Sequence, residues 1–172
     1  IRAFMARADE LGVGSAVDFL ADVDAVNQRR RERVVVLAEQ ELGSLTGKTI
    51  LMLGAAFKPD SDDLRDSPAL GISLKLAQKG AHVVVHVPMS LHGIRENYPQ
   101  LTAVDDLLEA AKTAELVILG TEWRQYREQD PVELANAVSV KTVIDGRNAL
   151  PYQSWKDAGW KVIALGRNLE NA

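Results

Sequence analysis

Cysteine is absent from all 172 residues of this sequence. Its absence excludes disulfides, thiolate metal sites and a cysteine nucleophile within these residues. No apolar run approaches the roughly 20 residues that a membrane-spanning helix needs, and the first residues lack the pattern of a signal peptide. We therefore expect a cytoplasmic protein. The sequence begins at Ile1 without an initiator methionine, inside a helical pattern, so we also expect a piece of a longer chain.

An excess of positive charge is lacking as well. The 20 basic residues are outnumbered by 24 acidic ones, which gives a net charge of -4 and a pI near 5.4. Such a chain has no overall basic field to hold a polyanion, so nucleic acid is not expected as a partner. The one basic run, residues 29–33, is interrupted by Glu32 and is typical of a solvated helix face.

Helical spacing dominates the first 45 residues. Apolar residues recur every three or four positions over residues 1–11, and glycines then interrupt the pattern. Ser15 is a predicted N-cap, with Asp18 three residues later, and no glycine or proline follows until Gly43. The sequence thus predicts one long helix ending near Leu42. A helix of that length exceeds what one domain covers and predicts a homodimer contact.

Short runs rich in Val, Ile and Leu replace the helical spacing after Gly47. They predict five strands, at residues 48–54, 82–87, 116–120, 141–145 and 161–165. Helical patterns lie between them, at residues 67–79, 103–113, 131–137 and 152–158, and Ser67 before Pro68 is a strong helix start. This alternation predicts an α/β fold: a doubly wound, mainly parallel Rossmann-like sheet preceded by a long helix. We expect two parts, a helical segment 1–45 and an α/β domain 46–172.

The loop after the first predicted strand carries unusual charge. In LGAAFKPDSDDLRDSPAL, residues 53–70, a lysine, four aspartates and an arginine separate the strand from the next helix. Ligands bind at this edge of such sheets, but the second and third glycines of a dinucleotide loop are missing. Lys58 is instead a compact cation suited to a phosphate or a sugar. The aspartates are expected to hold Lys58 and Arg65 and to bond the local backbone rather than bind a metal, while Arg65 remains either an ion-pair partner or a ligand contact.

A second basic residue follows the fourth predicted strand, in VIDGRNAL at residues 143–150. Arg147 either contacts a ligand there or is an exposed residue of a plain turn. If this strand neighbours the first, Lys58 and Arg147 would converge on one ligand. Thr121 and Glu122, after the third predicted strand, could line the same crevice, whereas Trp123 is expected to pack in the core.

The three histidines form no zinc pattern, since two lie in a predicted strand and His92 in the loop beyond it. They are expected to be structural or exposed. No residues form a set of nucleophile, base and orienting group. The sequence therefore predicts a binding site, with no catalytic residue and no metal ligand.

FKPDSDDLRDSPAL, GTEW and VIDGRNAL, in this order, resemble the C-terminal, UDP-binding domain of the UDP-glucose 6-dehydrogenase and GDP-mannose dehydrogenase family. The resemblance covers nearly the whole chain, and the long helix carrying Asn27 is similar to that family's interdomain and dimer helix. One departure is Val87 before Pro88, where the family usually has aspartate. This puts any ribose contact there in doubt.

The resemblance implies an NAD-dependent, two-step oxidation of a nucleotide sugar, here UDP-glucose to UDP-glucuronate. The family's NAD domain and catalytic cysteine would precede Ile1, so this chain alone is expected to be inactive. Carried over by motif, Phe57, Lys58 and Arg147 would bind the UDP-sugar and Arg65 would face the NAD. GDP-mannose and UDP-N-acetyl-mannosamine remain alternative substrates. A non-catalytic nucleotide-binding or regulatory module remains the alternative class, which an unrelated segment upstream of Ile1 would favour.

Overall fold

The computed structural model describes residues 1–167. Contacts divide the chain into two compact units, one from Ile1 to Arg33 and one from Val34 onward. The expected division into a helical segment, 1–45, and an α/β domain, 46–172, stays a prediction. The last five residues of that domain, 168–172, lie outside the described part. No helix within residues 1–167 is long and apolar enough to cross a membrane.

Helices and strands alternate after the N-terminal helices. The helices are α1 (Arg2–Glu10), α2 (Phe19–Leu42), α3 (Pro68–Gln78), α4 (Leu91–Asn97), α5 (Leu107–Ala111), α6 (Arg124–Arg127), α7 (Pro131–Ala137) and α8 (Tyr152–Asp157). The strands are β1 (Thr49–Leu53), β2 (His82–His86), β3 (Thr102–Val104), β4 (Leu116–Leu119), β5 (Thr142–Asp145) and β6 (Lys161–Ala164). The five predicted strands are therefore confirmed.

The first unit contains α1, a 3-10 turn at Gly14–Val17 and the first part of α2. This turn corrects the predicted N-cap at Ser15, because the α-helix begins only at Phe19. The helix still runs for 24 residues. Arg2 Nε donates to the Asp24 carboxylate at 3.0 Å, an ion pair that joins α1 to α2.

The sheet described within residues 34–167 is entirely parallel, in the order β3-β2-β1-β4-β5-β6. Strand β3 was missed, because residues 103–113 read as one helix. Its three residues pair along one side only, with β2, and a strand so short carries almost no alternation of its own. Helix α4 was also missed, since Gly93 interrupts its seven residues, and His92 lies on this helix rather than in a loop.

Both faces of the sheet are buried, which explains why its strands read as continuous apolar runs. Ile50 and Met52 of β1 pack on one face with the end of α2 and with α3 and α4. Leu51 and Leu53 point to the other face, among residues of α5, α6, α7 and α8. This doubly wound arrangement confirms the predicted fold class. Because the strands are parallel, it brings all their carboxyl ends to one edge of the sheet.

Candidate functional site

Strands β1 and β4 lie side by side where the chain reverses its winding direction, the usual ligand position in such sheets. Glycines allow their ends to approach closely. At Gly54, whose φ is +83°, an added Cβ would lie 2.8 Å from Thr121 Cβ. At Gly120 it would lie 2.7 Å from Ala69 Cβ. A side chain at Gly54 would press on the residue that follows β4, and one at Gly120 would press on α3.

The loop after β1 is closed by hydrogen bonds at its neck. Buried Ser67 accepts from Leu70 N at 3.3 Å, which caps α3 as predicted, and its Oγ donates to Ala55 O at 2.6 Å. Phe57 N donates to Asp63 O at 2.8 Å and closes the loop above that point. The strand end and the helix start are thus tied together while the intervening residues project outward.

Lys58 and Phe57 lie on this projecting part. The Phe57 ring is half exposed, and its N–H is already bonded within the loop. Lys58 is exposed, and within residues 1–167 its ammonium forms no hydrogen bond or ion pair. The expectation that the aspartates hold Lys58 in place is therefore not confirmed, and the Lys58 charge only adds to the hydrogen bonds from Arg65 in lowering the pKa of Asp63.

Arg65 forms a bidentate ion pair with Asp63. Its Nε and Nη2 donate to the two carboxylate oxygens at 2.9 and 2.8 Å, and its N–H donates to one of them at 3.0 Å. These bonds from Arg65 lower the pKa of Asp63 to about 2. The Arg65 side chain remains 91% exposed, so such a pair contributes little to stability. The ion-pair alternative for Arg65 is thereby realised in this structure.

Arg147 lies in a more constrained loop, after β5. Its Nε and Nη2 donate to Glu122 at 2.5 and 2.9 Å, and its side chain is one-third exposed. Asp145, fully buried, accepts from three backbone N–H groups, those of Arg147, Ala149 and Leu150, at 2.8 to 2.9 Å. Asn148 has a φ of +55° and donates to Leu165 O at 3.1 Å. Arg147 therefore does not sit on a plain turn.

The loop of Lys58 and the loop of Arg147 are joined through residues that follow β4. Thr121 Oγ1 donates to Ala56 O at 2.8 Å, and the next residue, Glu122, binds Arg147. The condition set for the convergence of Lys58 and Arg147, that the first and fourth predicted strands be neighbours, is not met, because β4 lies between β1 and β5 and separates them by two strand spacings, roughly 10 Å. The two cations still project from one edge of the sheet, as the predicted site requires.

Two further residues near this edge of the sheet pack in the hydrophobic core. Trp123 is 7% exposed and packs in the cluster that contains Tyr126 and Leu134, as expected. Val87, which stands where the family usually has aspartate, is buried on the opposite face, and its N–H donates to Val104 O at 3.2 Å. An apolar side chain buried there leaves no acceptor for a ribose hydroxyl.

A cavity of about 510 Å³ lies beside the end of β2, away from the predicted site residues. It is lined by His86, Asp105, Asp106, Leu107, Leu108, Gln125, Gln129 and Glu133. The buried His86 ring contacts Tyr126 Oη at 2.8 Å and Asp105 O at 3.1 Å. Burial lowers the pKa of His86, although Asp105 partly opposes the shift, so this histidine has a structural role. His82 and His92 are exposed.

Sequence reasoning assigned no role to Asp145 and did not pair Glu122 with Arg147. A strand that ends in Asp-Gly is a recognisable signal for an aspartate that bonds the following backbone. No local signal announces the Glu122–Arg147 pair, whose members are 25 positions apart. Within residues 1–167 no group of three or more His, Asp or Glu side chains is placed to hold a metal ion.

Residues 51–152 match the model of the UDP-glucose/GDP-mannose dehydrogenase family, UDP binding domain. The chain belongs to this family. The match runs from within β1 to the start of α8 and so includes the loops after β1, β4 and β5 that form the candidate site.

Relatives with established names support the assignment. The UDP-glucose 6-dehydrogenase of Pseudomonas aeruginosa is 31% identical over 174 residues, covering 97% of this chain and 38% of the relative. That of Rhizobium meliloti is 32% identical over 146 residues, covering 83% and 33%. The chain thus spans less than two-fifths of the length of these relatives.

Solved structures show the same fold. A UDP-glucose dehydrogenase from Pyrobaculum islandicum superposes with a TM-score of 0.74 at 31% identity, over 95% of this chain and 35% of that one. An NDP-N-acetyl-D-galactosaminuronic acid dehydrogenase from Methanosarcina mazei gives 0.68 at 27% identity, over 80% and 29%. The fold therefore accompanies more than one named nucleotide-sugar dehydrogenase.

Proposed function

We propose that this chain is the nucleotide-sugar-binding part of an NAD-dependent UDP-glucose 6-dehydrogenase, which oxidises UDP-glucose to UDP-glucuronate. The observation that carries the proposal is the pair of cations at the carboxyl edge of a UDP-binding-domain sheet, with their loops linked by Thr121 and Glu122. Its relatives of that name, at about 31% identity, support the choice of sugar nucleotide.

The two cations have different tasks in this proposal. Lys58, an exposed ammonium without a fixed partner in the described residues, provides a mobile positive charge for a phosphate. Arg147 presents a planar guanidinium to the nucleotide portion, and a charged group bound in this way contributes about 1.5 to 3 kcal/mol. Phe57, with a half-exposed ring beside Lys58, adds apolar contact to the substrate.

NAD would be held mainly outside these residues. The loop after β1 lacks the second and third glycines of a dinucleotide loop, so a pyrophosphate cannot approach the start of α3 as it does in NAD domains. When bound, NAD supplies the hydride acceptor. Arg65, which is 91% exposed, is proposed to face it from this side. Since the chain also contains no cysteine, it should form no NADH from UDP-glucose by itself.

We also propose that the intact protein is a homodimer through α2. Phe19, Val23 and Val26 are exposed and recur at intervals of four and three residues, which places them along one face of this helix. An exposed apolar stripe of this kind favours a partner surface. Light scattering of the full-length enzyme tests this, and a monomer would refute it. The expected cytoplasmic location remains a prediction.

Calorimetric titration of the chain with UDP tests the binding function. Lys58→Ala and Arg147→Ala are each expected to weaken UDP binding by about tenfold or more. Lys141→Ala and Arg30→Ala are matched controls, because they remove exposed cations from the opposite edge of the sheet and from α2. Unchanged UDP affinity in both site variants would contradict the assignment of Lys58 and Arg147 to the binding site.

A second nucleotide-sugar substrate is the alternative within this proposal. The structural relative from Methanosarcina mazei, 27% identical, carries the name of a different sugar-nucleotide dehydrogenase. Titration with UDP against GDP separates uridine from guanosine substrates, and we expect UDP to bind more tightly. Tighter binding of GDP would transfer the proposal to a GDP-sugar such as GDP-mannose.

A further inference from the structure

Arg147 is fixed both at its backbone and at its head group, unlike the other cation of the site. At the backbone, the buried Asp145 carboxylate accepts the N–H of Arg147 at 2.9 Å and those of two later residues. The left-handed φ of Asn148, +55°, and its bond to Leu165 O hold the next position. A non-glycine residue in this conformation persists only when its surroundings determine it.

Glu122 fixes the head group. Its two oxygens accept from Nε and Nη2 of Arg147 at 2.5 and 2.9 Å. A guanidinium has five N–H bonds, so this pair uses two of them and leaves three for another acceptor. Both side chains are about two-thirds buried, at 34% and 29% exposure, and this restricts where the remaining three can point.

Glu122 is itself held firmly. Thr121, the preceding residue, is buried, donates through its N–H to Leu53 O at 3.1 Å and through its hydroxyl to Ala56 O at 2.8 Å. Burial raises the pKa of Glu122, but the hydrogen bond from Arg147 and neighbouring positive charges outweigh it and leave that pKa lowered. A charged carboxylate on an anchored turn is therefore available to orient the arginine at neutral pH.

We propose that Glu122 is a positioning residue, which turns the Arg147 guanidinium so that its three remaining N–H bonds are presented to a nucleoside diphosphate. Asp145 supports it by fixing the backbone from which Arg147 projects. The inference rests on the proposed function and assigns Glu122 an effect on the ligand through Arg147 alone. A direct contact between Glu122 and ribose hydroxyls is the competing role.

A double-mutant cycle, with UDP affinity measured by calorimetry, separates these roles. Glu122→Gln keeps the shape but removes the charge, and it should weaken binding by about three- to tenfold in the native chain. In the Arg147→Ala chain the same substitution should change affinity by less than about twofold, because the residue it positions is gone. Glu128→Gln, which alters an exposed ion pair with Arg124 away from Arg147, is the control and should have no effect.

Three results would overturn the proposal. Equal losses in both backgrounds would mean that Glu122 acts on the ligand directly. No loss in the native chain would mean that it does not position Arg147. Tighter binding after Glu122→Gln would mean that the carboxylate competes with the ligand for the arginine.

A measurement without ligand keeps this inference distinct from the proposed function. In ¹⁵N NMR spectra the Nε–H of Arg147, assigned with Arg147→Lys, should exchange slowly with solvent and lose that protection in Glu122→Gln, but not in Glu128→Gln. Fast exchange in the native chain would refute the positioning even if UDP binds. Slow exchange in a chain that does not bind UDP would refute the proposed function and the ligand assigned here, while leaving the Glu122–Arg147 pair established.

Discussion

The loops after β1 and β5 each present a cation at the same edge of the sheet, but they do so in opposite ways. The β1 loop is closed at its neck, and within residues 1–167 its exposed Lys58 forms no hydrogen bond or ion pair. The β5 loop is built on a fully buried carboxylate, and its Arg147 is held by Glu122 at two points. Within residues 1–167 one loop thus carries a charge without a fixed partner and the other an oriented one.

The comparison shows that local charge pairing alone does not define a site. Arg65 and Asp63 form as good a bidentate pair as Arg147 and Glu122, but the Arg65 side chain is 91% exposed against 34% for Arg147. Exposure weakens the first pair through water and salt, whereas partial burial strengthens the second. Three experiments test this difference, in order of decreasing expected effect.

Asp145→Asn should have the largest effect. The new amide places N–H groups against backbone N–H donors, so at least one of three buried bonds is lost. We expect the free energy of unfolding to fall by about 2–4 kcal/mol, measured by urea denaturation. Asp63→Asn on the exposed loop is the matched control and should leave the midpoint unchanged. Equal shifts of the urea midpoint in the two variants would contradict the difference between the buried and the exposed loop.

Exchanging the cations should have an intermediate effect on UDP affinity. Arg147→Lys keeps the charge but cannot engage both Glu122 oxygens and still present a planar set of donors, so we expect binding to weaken by about tenfold. Lys58→Arg should change it by less than about threefold, since a mobile cation requires no fixed geometry. Calorimetry with UDP measures both. Similar losses at the two positions would show that Arg147, too, acts only as a point charge.

Arg65→Ala should have the smallest effect. Loss of its hydrogen bonds should raise the pKa of Asp63 from about 2 toward its ordinary value, as followed by NMR titration of the carboxyl group. A depressed folded-state pKa stabilises the fold above the unfolded pKa, about 3.9, and this contribution is lost as the pH falls toward 2. Any fall in the unfolding midpoint of Arg65→Ala should therefore be seen at pH 7 and vanish toward pH 2, and we expect it to be small because water and salt screen this exposed pair. An Asp63 pKa that stays near 2 would show that Arg65 is not its cause.

Much of the fold was predictable because short sequence patterns lie at the helix starts and strands that they indicate. Ser67 and Pro68 predicted the start of α3, and apolar runs predicted five strands. The 3-10 turn before α2 was not predicted, since Ser15 has the residue type of an N-cap without acting as one. Strand β3 was missed for a related reason, as three residues cannot show a period.

The order of strands was beyond reach of the same reasoning. The residues of a β-strand do not indicate which strand lies next to it, so the sequence left open whether β1 neighbours β5, and in the structure it does not. Residue types did identify Lys58 and Arg147 as candidates, and their roles stay predictions. The partner of Arg147 follows β4, the strand between β1 and β5, so Glu122 was expected only to line the crevice and not to pair with Arg147.

Hydrogen bonds close the neck of the β1 loop and separate its tip from the strand and helix that it connects. The bond from Phe57 N to Asp63 O, together with that from Ser90 Oγ to Asp62 O, leaves residues 58–61 as a tip whose backbone bears no strand or helix. We expect grafts of another relative's tip to be tolerated there. The ligand contact proposed for Lys58 should thus be open to engineering without rebuilding the scaffold beneath.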